Sequence, residues 1–404
     1  MKESINFAWP VTSTNREDYE AFCEWLDRKK EIVEKKQIAI WGAGIRGTEF
    51  SLFFRKRNYH DIIFVDNNEQ KWGGVIDEFP IISPEELYQK MMKEKAKILI
   101  SAEASTDIEK QLQEKGYIKD KDFFTIKSCL YEKYVNEFER EYKGEILIMG
   151  DCEFSKISMK DIDLTNLGEM IKAKCGEDRT KVLAMHGMGL RAHYNVLNAQ
   201  ISNGMKPKVL LVMVNLDTLT GKHHLLPRSQ HVELLRMVYN KTENRDEEFE
   251  EYMRVVEERS KNIQVEFFTH KFQTEGEKAK EIKAKNYFRI NYMYNLNVET
   301  EGLVYLRKIF EKAREENIDV IPFVPPVNYT VGTKLLGEKF EVKYKQNLEK
   351  IRQIVEENKK ELLDLSYCLG VDMFAEPETP DETANEVGRR RMTELLYEAI
   401  RKLV

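Results

Sequence analysis

Short apolar runs recur along the chain, several closing on glycine or an acid and giving way to charged stretches with apolar residues at helical spacing. Runs at 37–41, 62–65 and 97–101, separated by helical patterns, predict one α/β unit in the first third. Helices are expected from the glycine turn after residue 41 through about 57, over 84–93 and over 106–115, with a short extended segment at 123–125. The pattern restarts at 146–149 and continues at 182–185, 209–214, 265–268, 320–324 and 371–374. Strands alternating with helices argue a mostly parallel, three-layer sheet. Before the first unit, Tyr19, Phe22, Trp25, Leu26, Ile32 and Val33 trace an amphipathic helix. Between the units, a charged helix over about 128–142 reads as a linker. Residues 228–314 are long, charged and rich in Tyr and Met. They predict a mainly helical insertion or lid, or equally a partner-binding face.

Two strand ends carry candidate chemistry. In the first unit, Gly42, Gly44 and Gly47 form G-x-G-x-x-G directly after a strand and at the start of a helix, and the second strand ends on Asp66. Glycines permit a tight turn and close backbone approach. The free N–H groups of the helix start favour a phosphate, and the acid is placed to accept from a ribose. Packing alone would also explain the glycines. In the second unit, the run Ile146, Leu147, Ile148, Met149 stops at Gly150-Asp151-Cys152, where an open α/β sheet presents its chemistry. His186 and Asn215 follow later strands at the same edge. Asn215 can donate its amide to an oxyanion or cap the next turn.

Composition narrows the function classes. The 404 residues make two domains the natural expectation, and a net charge of −6 argues against nucleic-acid or anionic-membrane partners. No apolar run approaches the ~18 residues of a membrane span, and the first residues lack a signal-peptide pattern. Five cysteines, Cys23, Cys129, Cys152, Cys175 and Cys368, are scattered without a CxxC pair. Neither a zinc site nor a disulfide framework follows, and a reducing cytoplasm is the simplest home. His186, His193, His223, His224 and His231 invite a metal reading, but no second cluster of Asp and Cys stands at ligand spacing, so none is expected. The Arg389-Arg390-Arg391 run reads as a solvated helix face with one arginine at an interface. Tyr287, Phe288, Tyr292, Met293 and Tyr294 offer a sugar-stacking platform or, more simply, core.

Several segments of the first unit resemble a known module. Trp41-Gly42-Ala43-Gly44, Phe64-Val65-Asp66-Asn67-Asn68, Lys71-Trp72-Gly73-Gly74 and Phe79-Pro80-Ile81-Ile82-Ser83-Pro84 run in the order of the Rossmann-like domain of bacterial sugar O-acyltransferases of the sialic-acid acetyltransferase type. That resemblance implies a nucleotide-linked sugar as ligand. The hexapeptide repeats that carry acetyl transfer in that family are missing from this chain, so it implies a ligand class and not that reaction.

The second unit resembles the SGNH (GDSL-type) hydrolases, in the branch of polysaccharide O-acetylation and teichoic-acid D-alanine transfer proteins. Gly150-Asp151-Cys152 matches the first block. Gly187 or Gly189 matches the second-block glycine, Asn215 the third-block asparagine, and Asp381-Glu382-Thr383-Ala384-Asn385-Glu386-Val387-Gly388-Arg389 the closing block. The resemblance implies acyl-ester chemistry, with Gly187 or Gly189 and Asn215 as oxyanion donors and Asp381 in the closing block. Two departures bear on mechanism. The nucleophile position holds Cys152 instead of serine, and the closing-block histidine position holds Thr383. The last histidine of the chain is His270, so the relay of serine, histidine and aspartate cannot form in the family manner. A thiol activated by His186, His193 or a carboxylate such as Glu382 is one reading. Binding without turnover is the second, and a small buried cysteine at a turn the third.

The expected organisation is a leading helix in 1–35, a Rossmann-like nucleotide(-sugar)-binding domain in 36–128, a linker helix in 129–143, and a flavodoxin-like α/β/α domain of SGNH type in 144–404 with an insertion at about 228–314. The expected function is surface-glycan modification by an esterase or acyltransferase acting on a sugar acyl ester. The alternative is a catalytically inactive binding or assembly protein of polysaccharide biosynthesis. An NAD-dependent oxidoreductase is weaker, since the first domain is short for a dinucleotide and no hydride-transfer constellation follows. No cofactor is expected beyond a nucleotide or nucleotide-sugar ligand. The expected partners are a small-molecule or glycan substrate, and a homo-oligomer or glycan-assembly partner is left open.

Overall fold

The computed structural model describes residues 37–56, 59–90, 96–102, 105–158, 161–220, 231–242, 247–251, 254, 277–380 and 382–404. The expected leading helix, the 265–268 strand, His223, His224 and Asp381 lie outside them. The chain divides into two compact units, Met1–Lys133 and Tyr134–Val404. The division falls inside one helix, Ile126–Glu139.

In the first unit, β1 (Gln37–Trp41), β2 (Ile62–Val65), β3 (Val75–Ile76), β4 (Phe79–Ile82), β5 (Ala96–Ile100) and β6 (Phe123–Thr125) form one sheet in the order β3-β4-β2-β1-β5-β6. All neighbours are parallel except the β3–β4 hairpin. β1 is central, and its residues 38–41 are buried, as a parallel strand covered on both faces requires. The hairpin was not legible in the sequence, because β3 is only two residues long and its turn rests on Asp77 at φ 58°.

In the second unit, β7 (Ile146–Gly150), β8 (Thr180–Ala184), β9 (Val209–Met213), β10 (Asp319–Val324) and β11 (Leu363–Asp364) form a wholly parallel sheet in the order β11-β10-β9-β7-β8. The chain leaves β7 for β8 on one side, then crosses to β9 on the other. This is the flavodoxin-like order, whose switch point opens a crevice at the carboxyl ends of β7 and β9. Helices cover both faces. Leu167–Cys175 packs with Glu386–Ile400, and Leu190–Ser202 packs with Glu301–Glu315. The α/β/α expectation is met.

Several local expectations change. Residues 371–374 do not form a strand. Val371–Met373 is a 3-10 turn, and Phe374 bridges Ala384 antiparallel, so the segment is used to hold the closing block while β11 fills the sheet edge. Within 228–314 the described helices include Val232–Asn240, Glu277–Asn291 and Glu301–Glu315, and the last belongs to the helical layer leading into β10. Phe288 and Tyr292 are buried with ring centroids 5.0 Å and 6.4 Å from Phe340, which makes them core and not a stacking platform. The end of the Ile126–Glu139 helix is held by Lys181 of β8. Its buried Nζ donates to Phe138 O (2.8 Å) and Gln200 Oε1 (3.0 Å). Burial pulls that ammonium down to about 8.

Candidate functional site

Each unit offers a turn at the carboxyl end of a central strand. In the first, Gly42 N–H donates to Val65 O (2.8 Å), closing β1 onto β2. Gly47 is required by close approach, because a Cβ there would lie 2.1 Å from Gly42 O. A Cβ on Gly44 would meet nothing within 4 Å, so the backbone at this position faces open space. Asp66 stands beside the turn, as its strand-end position implied, but its carboxylate is engaged within the protein. Oδ2 accepts from Ala43 N (2.8 Å) and Lys71 Nζ (2.8 Å), and Oδ1 accepts from Asn68 N (2.9 Å). Three of roughly four acceptor positions are therefore in use. Lys71 Nζ also donates to Ala43 O (2.9 Å), bracing the glycine turn with a cation.

In the second unit, the turn Gly150-Asp151-Cys152 is fixed from below by Phe154. A Cβ on Gly150 would sit 2.3 Å from that ring, and the ring packs edge-on against Phe323. Asp151 is buried and caps the 3-10 turn Cys152–Phe154, Oδ1 accepting from Glu153 N (3.0 Å). Asn215 Nδ2 donates to Asp151 Oδ2 (2.9 Å), and Asn215 Oδ1 accepts from Asp217 N (3.3 Å). The ends of β7 and β9 are thus joined across the switch point, and one of the two amide N–H groups of Asn215 is spent on Asp151.

His186, from the loop after β8, stands beside the Cys152 thiol and lowers it. Burial pushes that thiol above its ordinary range. Lys156 and His186 pull it down, while Asp151 and Glu153 push it up. His231 Nε2 lies 2.8 Å from His186 O and so fixes the loop that presents the imidazole. The other histidine candidate, His193, is buried in the helix Leu190–Ser202, with Nδ1 unpartnered. Burial alone lowers it to about 3, which leaves it neutral at physiological pH. Gly187 takes φ 61° in the loop after β8, and Gly189 N-caps the helix that follows.

The closing block meets this edge. Ala375 N donates to Thr383 O (2.8 Å), Asn385 Nδ2 donates to Asp372 O (2.7 Å), and Asn385 Oδ1 caps Glu386–Ile400 through Val387 N and Gly388 N, both at 3.1 Å. Arg389 is buried. It donates to Asp161 Oδ2 (2.6 Å), Ala384 O (3.0 Å), Thr165 O (2.9 Å) and Asp163 O (2.7 Å), while Arg390 is exposed. This is the one interface arginine that the run implied. Glu382 is 5% exposed, with Oε1 lacking a hydrogen-bond partner. Burial, then Asp217, Glu153 and Asp151, raise its carboxyl well above the ordinary range, and Lys156 opposes them. Asp151 is raised likewise, by burial and then by Asp217.

The second-unit residues Asp151, Cys152, His186 and Asn215 therefore converge at the switch point, joined by Asp217 and Glu382. Glu153 and Lys156 were missed by the sequence reading. Their Nζ–Oε1 separation is 3.8 Å, and both flank the thiol. The only signal for them was their place in the polar segment after Cys152. Among the described residues, no three His, Cys, Asp or Glu side chains group to hold a metal, and no helix is long and apolar enough to cross a membrane.

The family model described as C2185-like, N-terminal, matches residues 34–123. No curated protein matches the chain. Among solved structures, an acetylxylan esterase from Geobacillus stearothermophilus is similar over 64% of this chain and 95% of its own, at 10% identity and a TM-score of 0.33. A catalytic mutant of the same esterase covers 65% and 96%, at 10% identity and a TM-score of 0.34. At such identity and TM-score, the chemistry of this chain rests on its own residues.

Proposed function

We propose that the second unit is a thiol-dependent ester site, with Cys152 as nucleophile, His186 as its proton acceptor, and a sugar acyl ester as substrate. The observation that carries this reading is that Cys152 and His186 stand together at the carboxyl edge of a 2-1-3-4-5 sheet, where the imidazole lowers the thiol. Burial favours the protonated thiol, so attack needs a base within reach, and the His186 imidazole is the candidate beside it. The Gly187 or Gly189 N–H and the second amide hydrogen of Asn215 are the oxyanion donors in this reading. The first unit is proposed to hold a nucleotide or nucleotide-sugar over Gly44, with Asp66 and Lys71 shaping the turn rather than reading the ribose. Together these describe a cytoplasmic esterase or acyltransferase of polysaccharide metabolism.

A second reading, an inactive binding or assembly protein, is favoured by the raised thiol and by Thr383 in the closing block. Intact mass after incubation with p-nitrophenyl acetate separates the two. An acetyl adduct on the wild type that is lost in Cys152→Ala supports the ester site. Neither adduct nor hydrolysis in either protein leaves the binding reading. For the first unit, Gly44→Asp meets no steric obstacle, so it is expected to abolish nucleotide affinity by charge alone. Unchanged affinity by calorimetry sinks the phosphate assignment.

A further inference from the structure

The closing block supplies no histidine, yet it delivers a buried carboxyl to the same edge. Glu382 precedes Thr383 and is buried, and its Oε1 has no hydrogen-bond partner. Its position is set by the chain on both sides. Thr383 O accepts from Ala375 N, Ala384 bridges Phe374, and Arg389 holds Ala384 O. The titratable groups facing it come from separate elements: Asp151, Glu153 and Lys156 from the turn after β7, and Asp217 from the loop after β9. Asp151, Glu153 and Lys156 are also the charged neighbours of Cys152, so the carboxyl and the thiol share one electrostatic environment. Burial and three neighbouring carboxyls favour the protonated form of this group, and its unpartnered Oε1 is placed to give a hydrogen to a bound substrate.

We propose that Glu382 is the proton donor of this site, delivering its carboxyl hydrogen to the alcohol that leaves when Cys152 is acylated. The assignment rests on Cys152 being the nucleophile. In acylation the thiol proton passes to His186 while sulfur bonds to the carbonyl carbon, placing the electron pair on the carbonyl oxygen. Collapse breaks the bond from carbon to the alkoxy oxygen, which takes the Glu382 proton and departs as an alcohol. The thioester, imidazolium and Glu382 carboxylate remain. In deacylation a water attacks the thioester and gives a proton to Glu382, and the imidazolium returns its proton to the departing sulfur. Acid and thiol are thereby regenerated, with no other reactant.

The leaving group provides the test. Nitrophenolate departs without a proton, whereas the alkoxide of an O-acetylated alkyl glycoside needs one. Glu382→Gln is expected to slow acylation by the glycoside ester about 10²- to 10⁴-fold and to slow that by p-nitrophenyl acetate far less. Equal loss on both esters, or loss on neither, overturns the donor role while Cys152 stands. No acylation of the wild type by p-nitrophenyl acetate removes the nucleophile, and the donor with it. Infrared spectroscopy at pH 7 reads the proton without turnover. The carbonyl stretch of a protonated acid is expected in the wild type and is lost in E382Q. Its absence from the wild type overturns the proposal, and circular dichroism of E382Q checks that the variant folds.

Discussion

The turn after β1 and the turn after β7 each close a buried parallel strand on glycine, start a helical segment and set an aspartate against the new backbone N–H groups. They differ in how their acids are satisfied. Asp66 receives two backbone N–H groups and a lysine, and one lysine braces the whole loop. At the second turn, Asp151 receives one backbone N–H and one amide, and burial and Asp217 still push it up. Glu382 beside it receives nothing on Oε1. A carboxylate with hydrogen bonds on both oxygens stabilises a turn. Crowded, buried carboxyls cost folding energy and are retained where proton chemistry is wanted. Sequence patterns alone make the two turns look alike.

Removing the frame of the second turn should have the largest effect. Arg389→Ala leaves Asp161 buried without its partner, and Ala384, Asp163 and Thr165 lose a donor. A loss of about 3–5 kcal/mol is expected by urea denaturation. A loss under about 1 kcal/mol, the scale of a surface pair, would show that the block is held elsewhere. Asp66→Ala comes next. It frees two backbone donors and should destabilise the first unit by about 3 kcal/mol, counting hydrogen bonds to a charged group. The Lys71 pair is partly exposed and adds little. Hydrogen exchange at Ala43 and Asn68 reads this directly.

The pH response sharpens the comparison within the second unit. His193 is lowered to about 3, so its stability contribution is complete above about 6.5 and falls by about 1.4 kcal/mol per pH unit as pH drops toward 3. Glu382 is raised, so its contribution is complete below the ordinary glutamate value of 4.5 and is lost as pH rises through its folded value. Thermal melts of Glu382→Gln should therefore show a higher Tm than wild type at pH 7, with the gain vanishing below pH 4.5. A lower Tm at pH 7 would mean that the acid is satisfied in the fold, and the contrast with Asp66 would disappear.

Much of the scaffold was legible because a buried parallel strand must be apolar throughout. The runs at 37–41, 62–65, 146–149, 209–214 and 320–324 all became strands within a residue or two. β3 and the edge strand β11 were missed because two-residue strands leave no period to read. Residues 371–374 have strand-like side chains but are claimed by the closing block, a tertiary preference that local pattern does not carry. At the site, Asp151, Cys152 and Asn215 stood out as strand ends. Glu153 and Lys156 looked like ordinary surface charges, since nothing in their neighbourhood announces burial.

The sequence by itself determined where strands end, which residues stand at those ends, and that no histidine can fill the closing block. These follow from local periodicity, from turn chemistry and from the identities of single residues. Only the tertiary structure decided which ends meet. Strand order places β7 beside β9 and so joins Asp151 to Asn215, the loop after β8 brings His186 to the Cys152 thiol, and the Arg389 frame turns Glu382 inward. It also decided that both oxygens of Asp66 accept hydrogen bonds while Oε1 of Glu382 accepts none. Burial and hydrogen-bond partners are set by residues distant in the chain, and they determine which of two aspartate-bearing turns has its acid satisfied by hydrogen bonds and which sits among crowded, buried carboxyls.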